Sequence, residues 1–87
     1  MTLAFLNRSR SFDAEREAIR FIGHDGVFKV PFFVEVGALM APGKSALSEA
    51  ESLTAFDRAR GLIHDVAREA YSHARRTMYT LTAADFR

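Results

Sequence analysis

At 87 residues the chain has the length of one compact domain, residues 1–87, and no room for two independent cores. A hydrophobic content of 48% with eight Phe is enough apolar mass to offset the entropy of ordering, which excludes a disordered chain, and the absence of cysteine excludes disulfides, thiolate metal sites and a Cys nucleophile. Twelve basic and 11 acidic residues leave a formal net charge of +1, too small a field to gather phosphates or acidic partners by itself.

Leu3-Ala4-Phe5-Leu6 reads as a short strand, and it is too short for the apolar core of a signal peptide. No window approaches the roughly 20 apolar residues of a membrane span, so the expectation is a cytoplasmic protein with no membrane partner. Asn7 to Ser11 is polar and aperiodic, as a loop would be. Ile19, Phe21 and Ile22 then form a strand that runs into Gly23-His24-Asp25-Gly26, with a second apolar run from Val27. Asp25-Gly26 can enter the positive-φ conformations of a tight hairpin turn. In the second strand Phe28, Val30, Phe32 and Val34 fall on one face and Lys29, Pro31, Phe33 and Glu35 on the other. The first face is the core side. Pro31 cannot donate a ladder hydrogen bond, which places this strand at a sheet edge or turns its 31 position outward.

Val36 to Ala41 suits one or two helical turns ended by Pro42, with a loop over Gly43 to Ser45. Ser48 and Glu51 have the spacing of a capping box, and a single long helix is expected from about Ser48 to Arg76. At 100° per residue its apolar face collects Leu53, Phe56, Ala59, Ile63, Val66, Ala67, Ala70, Tyr71 and Ala74. Met78 to Leu81 is β-prone and makes a last strand, and Ala83 to Arg87 a short tail. The order predicts an α+β, two-layer fold: a small antiparallel sheet of three to four strands with one long helix and a short helix packed on one face.

Gly43-Lys44-Ser45 sits between a strand and a helix, but a phosphate-cradling loop needs Gly five residues before its Gly-Lys pair, and Ala38 stands there. Glu69 and His73 can meet on one helix surface, whereas His64 is almost opposite His73 on the wheel and His24 lies in the hairpin turn, so no three-ligand metal site is encoded locally. No cofactor is expected. There is no Gly-x-Ser-x-Gly elbow, and an enzyme would have to assemble its site from distant segments that include His24 and His64. Arg58, Arg68, Arg75 and Arg76, together with Arg60, project from the exposed part of the helix and are candidate phosphate contacts for a nucleic-acid accessory protein. Asp57 and Asp65 each stand three residues before an Arg, and with Glu69 they blunt that stripe. Two features ask for a partner instead: Gly61 lies mid-helix at a cost of about 1 kcal/mol relative to Ala, and Leu62 points away from the apolar face. With Phe33 on the outer sheet face and Pro31 on the edge, the candidate interaction surface is Pro31, Phe33 and Leu62.

Leu3-Ala4-Phe5, the Ser11-Phe12-Asp13 turn, Ile19-Arg20-Phe21 with the Asp25-Gly26 hairpin, Phe56-x-x-x-Arg60-x-x-Ile63 and Leu81 to Asp85-Phe86 run the length of the chain. In these elements the chain resembles a small bacterial family known as domain of unknown function 1488. The resemblance implies a compact α+β fold and brings no established activity and no catalytic residue. The favoured expectation is a non-enzymatic interaction or regulatory module acting through a sheet edge or apolar patch, with a homo-oligomer or another protein as partner. A nucleic-acid accessory role and a small enzyme are the alternatives. Arg60, beside the apolar arc, is expected to anchor Asp57 or a sheet-edge carbonyl.

Overall fold

Alternation along the two long strands decides which side of the sheet becomes the core. The computed structural model describes residues 3–6, 9–40 and 47–86. Strand β2 (Ala18–Asp25) and strand β3 (Phe28–Glu35) pair antiparallel with Ile19 opposite Val34, Phe21 opposite Phe32 and Gly23 opposite Val30. Directly opposed residues share a face. The face carrying Ile19, Phe21, Val30, Phe32 and Val34 is buried, and the helices close over it.

The helices close over that face with Phe56, Ile63 and Ala67, all fully buried, while Leu53, Ala59, Val66, Ala70 and Tyr71 pack around them half-buried. The predicted apolar arc is thus the packed one, Ala74 excepted, which lies past the last helical turn and is exposed. Inside the core Phe21 and Phe32 stack at 5.3 Å between centroids, Phe56 tilts onto Phe21 at 5.3 Å, and Tyr79 stacks on Phe32 at 5.0 Å. Offset and tilted aromatic pairs of this kind add to the area they bury.

The expected single helix is two. Helix α1 is the short turn Val36–Leu39; helix α2 is Glu49–Arg58 and helix α3 is Arg60–His73. The capping box forms as read: the Glu51 N–H donates to Ser48 Oγ (3.1 Å) and the Ser48 N–H to Glu51 Oε1 (2.9 Å). The interruption falls at Ala59, at φ −103° and ψ 13°. Its N–H is shared between the Ala55 and Phe56 carbonyls, both at 3.1 Å, the tightened geometry of a helix end. Gly61 therefore occupies the first turn of a new helix rather than the middle of an old one, and a Cβ added there would meet nothing within 4 Å.

Three further expectations are corrected. Strand β1 is Ser11–Asp13, antiparallel to β2, where a loop and turn were read; Phe12 opposite Ile19 brings it into the sheet. The Leu3–Leu6 segment is no full strand: it is tied to β2 by one isolated bridge, in which Ala4 and His24 exchange backbone bonds of 2.8 and 2.7 Å. Strand β4 (Tyr79–Leu81) runs parallel to β3, giving a mixed sheet in the order β1-β2-β3-β4. A parallel neighbour requires a crossover, and the helices between β3 and β4 supply it. β3 is consequently central over Phe32–Val34, which β4 pairs, and Pro31 stands just before that ladder begins, where its missing N–H breaks no bond to β4. A 3₁₀ turn, Ala83–Phe86, follows β4. The Gly43 to Ser45 loop and Pro42 lie outside the described residues.

Candidate interaction surface

The hairpin between β2 and β3 turns through two residues, Gly26 and Val27, with Asp25 and Phe28 as the last pair of the ladder. Gly26 has φ 62°, and Val27 is not in the left-handed region, the pattern of a turn that needs positive φ only at its first central residue. Glycine meets that need without a Cβ penalty. Asp25 belongs to the strand rather than to the turn, one position off the sequence reading.

This turn pushes two apolar side chains into solvent: Val27 is 91% exposed and Phe28 71%. Phe28 shares the core-side face with Val30 and Phe32, yet α3 ends at His73 and the chain leaves it extended at Ala74 (φ −153°, ψ 138°). Among the described residues no helix covers the tip. Over Phe28–Pro31 the second edge of β3 also has no ladder partner among the described residues, because β4 joins only from Phe32. The result is a groove of about 760 Å³, with Val27, Phe28 and Val30 on one wall and Tyr71, Arg76 and Thr77 on the other.

The far wall is held in place. The Tyr79 hydroxyl donates to the Ala74 carbonyl and accepts the Arg76 N–H at 3.0 Å, which pins the segment between α3 and β4. At the end of the groove the Tyr71 hydroxyl donates to Asp25 Oδ2 at 2.5 Å, and Arg75 lies 4.6 Å over the Tyr71 ring with Nη1 3.9 Å from the same carboxylate. Donation to the Asp25 carboxylate, with some desolvation, raises the Tyr71 pKa and keeps the phenol protonated. Lys29, Arg75 and Arg76 set against Asp25 give the groove a cationic rim.

Residues 3–82 match the model of a family described as protein of unknown function, DUF1488. The chain belongs to that family. No curated protein and no solved structure matches it. The matched span of this DUF1488 chain takes in β1 to β4, α1 to α3 and the groove.

Of the residues singled out in the sequence of the DUF1488 chain, Pro31 lies half-buried on the outer sheet face, at the open stretch of β3. Phe33 is on that outer face as the alternation requires, but it is not exposed surface: it is 6% accessible, beneath the Arg16 guanidinium at 4.6 Å from its ring centroid. Asp13 arranges this cover, accepting the Arg16 N–H (3.1 Å) and its Nη1 (3.0 Å) so that the β1–β2 turn folds back over the sheet. Leu62 is 57% exposed, on α3 in the other layer, so Pro31, Phe33 and Leu62 do not form one surface. Arg75 and Arg76 line the groove; Arg58 closes the last turn of α2, and Arg68 is tied to Asp65 (3.2 Å) and lies 5.1 Å over Phe5. Arg60 anchors Asp57 at 2.8 Å with its guanidinium 4.9 Å from the Phe56 ring centroid, and Asp57 also receives Arg10 from the segment before β1.

His64 stacks on Phe5 at 3.9 Å and 6° between planes, as a packing ring, while His24 carries the bridge to Ala4. Among the described residues no three His, Asp or Glu side chains gather as a metal ion would require, and no helix is long and apolar enough to cross a membrane. Val27 and Phe28 were missed by the sequence reading, which assigned Phe28 to the core. Their one signal was two apolar residues placed directly after Asp25-Gly26, at a tip where a helix must reach to cover them.

Proposed function

We propose that this chain is a non-enzymatic protein-interaction module that docks a partner in the groove at the β2–β3 tip. The single observation that carries the reading is the pair Val27 and Phe28, 91% and 71% exposed, beside the stretch of β3 that β4 leaves open. Wet apolar side chains next to unpaired strand backbone are what an added segment uses: the edge ahead of Pro31, which has no N–H to give, supplies a short run of hydrogen bonds and the apolar pair supplies most of the burial. The cationic rim of Lys29, Arg75 and Arg76 selects a partner with acidic groups around an apolar contact. The braced wall at Tyr79 and the Asp25–Tyr71 bond keep the groove formed before the partner arrives, which reduces the ordering cost of binding. A cytoplasmic location fits a chain without cysteine.

Affinity capture from the cells of origin tests this with the wild type, Phe28→Asp and Arg58→Glu. A protein retained by the wild type and Arg58→Glu but lost from Phe28→Asp is the expected result. Equal retention by the wild type and Phe28→Asp overturns the reading. Nuclease-sensitive material lost only from Arg58→Glu would favour nucleic acid in its place.

A further inference from the structure

A second concavity, of about 340 Å³, lies on the flank of α3 between Leu62, Val66 and Phe86. Leu62 is 57% exposed there, and three carboxylates, Asp65, Glu69 and Asp85, stand around it. Asp65 pairs with Arg68 at 3.2 Å and Glu69 with His73 at 3.4 Å, but these pairs are solvent-exposed and exposed pairs exchange partners at little cost. Asp85 Oδ2 accepts the Thr82 N–H at 2.7 Å, which holds the 3₁₀ turn and with it Phe86 at the cleft. Of the five large apolar side chains most exposed among the described residues, Val27 and Phe28 form the tip and Leu62 the cleft.

Tip and cleft are opposites in charge. The tip projects Val27 and Phe28 within a rim of Lys29, Arg75 and Arg76; the cleft recedes to an apolar floor within a rim of Asp65, Glu69 and Asp85. We infer that the partner of the tip is the acidic cleft of a second copy of this chain, so that copies associate head to tail. The inference rests on the docking role of the tip proposed above. Arg75 shares its charge with Asp25 within the tip, so a two-fold contact of tip with tip would set Lys29 and Arg76 against their own copies, and one of cleft with cleft would do the same with three carboxylates. Tip to cleft opposes the cationic excess of one to the acidic excess of the other. Leu62 precedes Tyr71 by nine residues on α3, about 14 Å at 1.5 Å per residue, so the two sites are distinct surfaces of one copy. An open assembly of this kind keeps a free tip at one end and a free cleft at the other, so association continues into a chain or closes as a ring.

Sedimentation velocity on the whole chain, from roughly tens of micromolar to about 1 mM and at low and high salt, tests this. The variants are Phe28→Asp, which disables the tip, and Asp65→Lys with Glu69→Lys, which disables the cleft; all three positions are exposed, and circular dichroism checks that the fold is kept. The wild type is expected to grow with concentration to dimer and beyond, and less so at high salt. Each variant alone should be monomeric. Their equimolar mixture should form a dimer and stop there, because one partner keeps its cleft and the other its tip. A monomeric wild type overturns the head-to-tail contact, as does a mixture that fails to associate. If Phe28→Asp is monomeric while the Asp65→Lys, Glu69→Lys variant still dimerises, the contact is tip to tip instead. If the wild type is monomeric yet Phe28→Asp loses a captured protein, the docking role of the tip stands and its partner is another protein.

Discussion

The same substitution at two glycines should change stability in opposite directions. Gly61→Ala places a methyl where nothing lies within 4 Å, in the first turn of α3. It gains helix propensity and removes unfolded-state freedom, for about 0.5–1 kcal/mol in favour of the fold. Gly23→Ala, on the core face of β2, puts its Cβ 2.8 Å from Leu3 Cδ1 and 3.1 Å from Phe32 Cε1. Phe32 is fully buried and stacked between Phe21 and Tyr79, so Leu3 must give way. Overpacking of this kind costs roughly 1–3 kcal/mol, and after the entropic gain of losing a glycine the net loss is about 1–2 kcal/mol. For a domain of this size the two changes correspond to a rise in Tm of about 2–8 °C and a fall of about 4–16 °C. Urea and thermal unfolding followed by circular dichroism read both, and amide exchange at Ala4 and His24 should quicken only in Gly23→Ala, as the displaced Leu3 loosens their bridge. A Gly61→Ala midpoint equal to or below the wild type, or a stabilised Gly23→Ala, would refute the reasoning.

Asp57 accepts both Arg10 Nε (3.0 Å) and Arg60 Nη2 (2.8 Å), and bonding by Arg10 first, then Arg60, holds its pKa below the usual carboxylate range. A carboxylate depressed in the folded state stabilises above its unfolded pKa, and that contribution is lost as pH falls through the folded value. The gap in urea midpoint between the wild type and Asp57→Asn should therefore be present at pH 7 and shrink from about pH 5 downward; a gap independent of pH would count against the assignment. Glu17 takes φ 49° in the β1–β2 turn, a left-handed conformation that favours glycine, so Glu17→Gly is expected to raise stability by about 0.5–1 kcal/mol in urea unfolding. Gly26→Ala, at φ 62°, is expected to lower it by about 1 kcal/mol in the same assay.

Features set by neighbours in the chain were legible in the residues. The capping box of Ser48 and Glu51, the pairs Asp57–Arg60, Asp65–Arg68 and Glu69–His73, and the apolar arc through Phe56, Ile63 and Ala67 depend on spacings of three and four along a helix. The two faces of β3 depend on a spacing of two, and Leu62 was read as exposed from its angle alone. The site was less legible. Phe33 was read as wet surface because alternation places it outside, and alternation carries no information about Arg16, which reaches it from another strand's turn. Phe28 was read as core for the same reason, since its face is right but the helix stops short of it.

Local periodicity thus determined, from the residues alone, the α+β class, the helix start at Ser48 and the inward faces of β2, β3 and the helices, because each is a relation among side chains a few bonds apart. Tertiary structure alone decided the parallel β4, the break at Ala59, the Arg10–Asp57 tie across 47 residues and the uncovered tip at Val27 and Phe28. Those depend on where the far end of one element lands against another, a distance that accumulates over the whole chain and that no short window of residues contains.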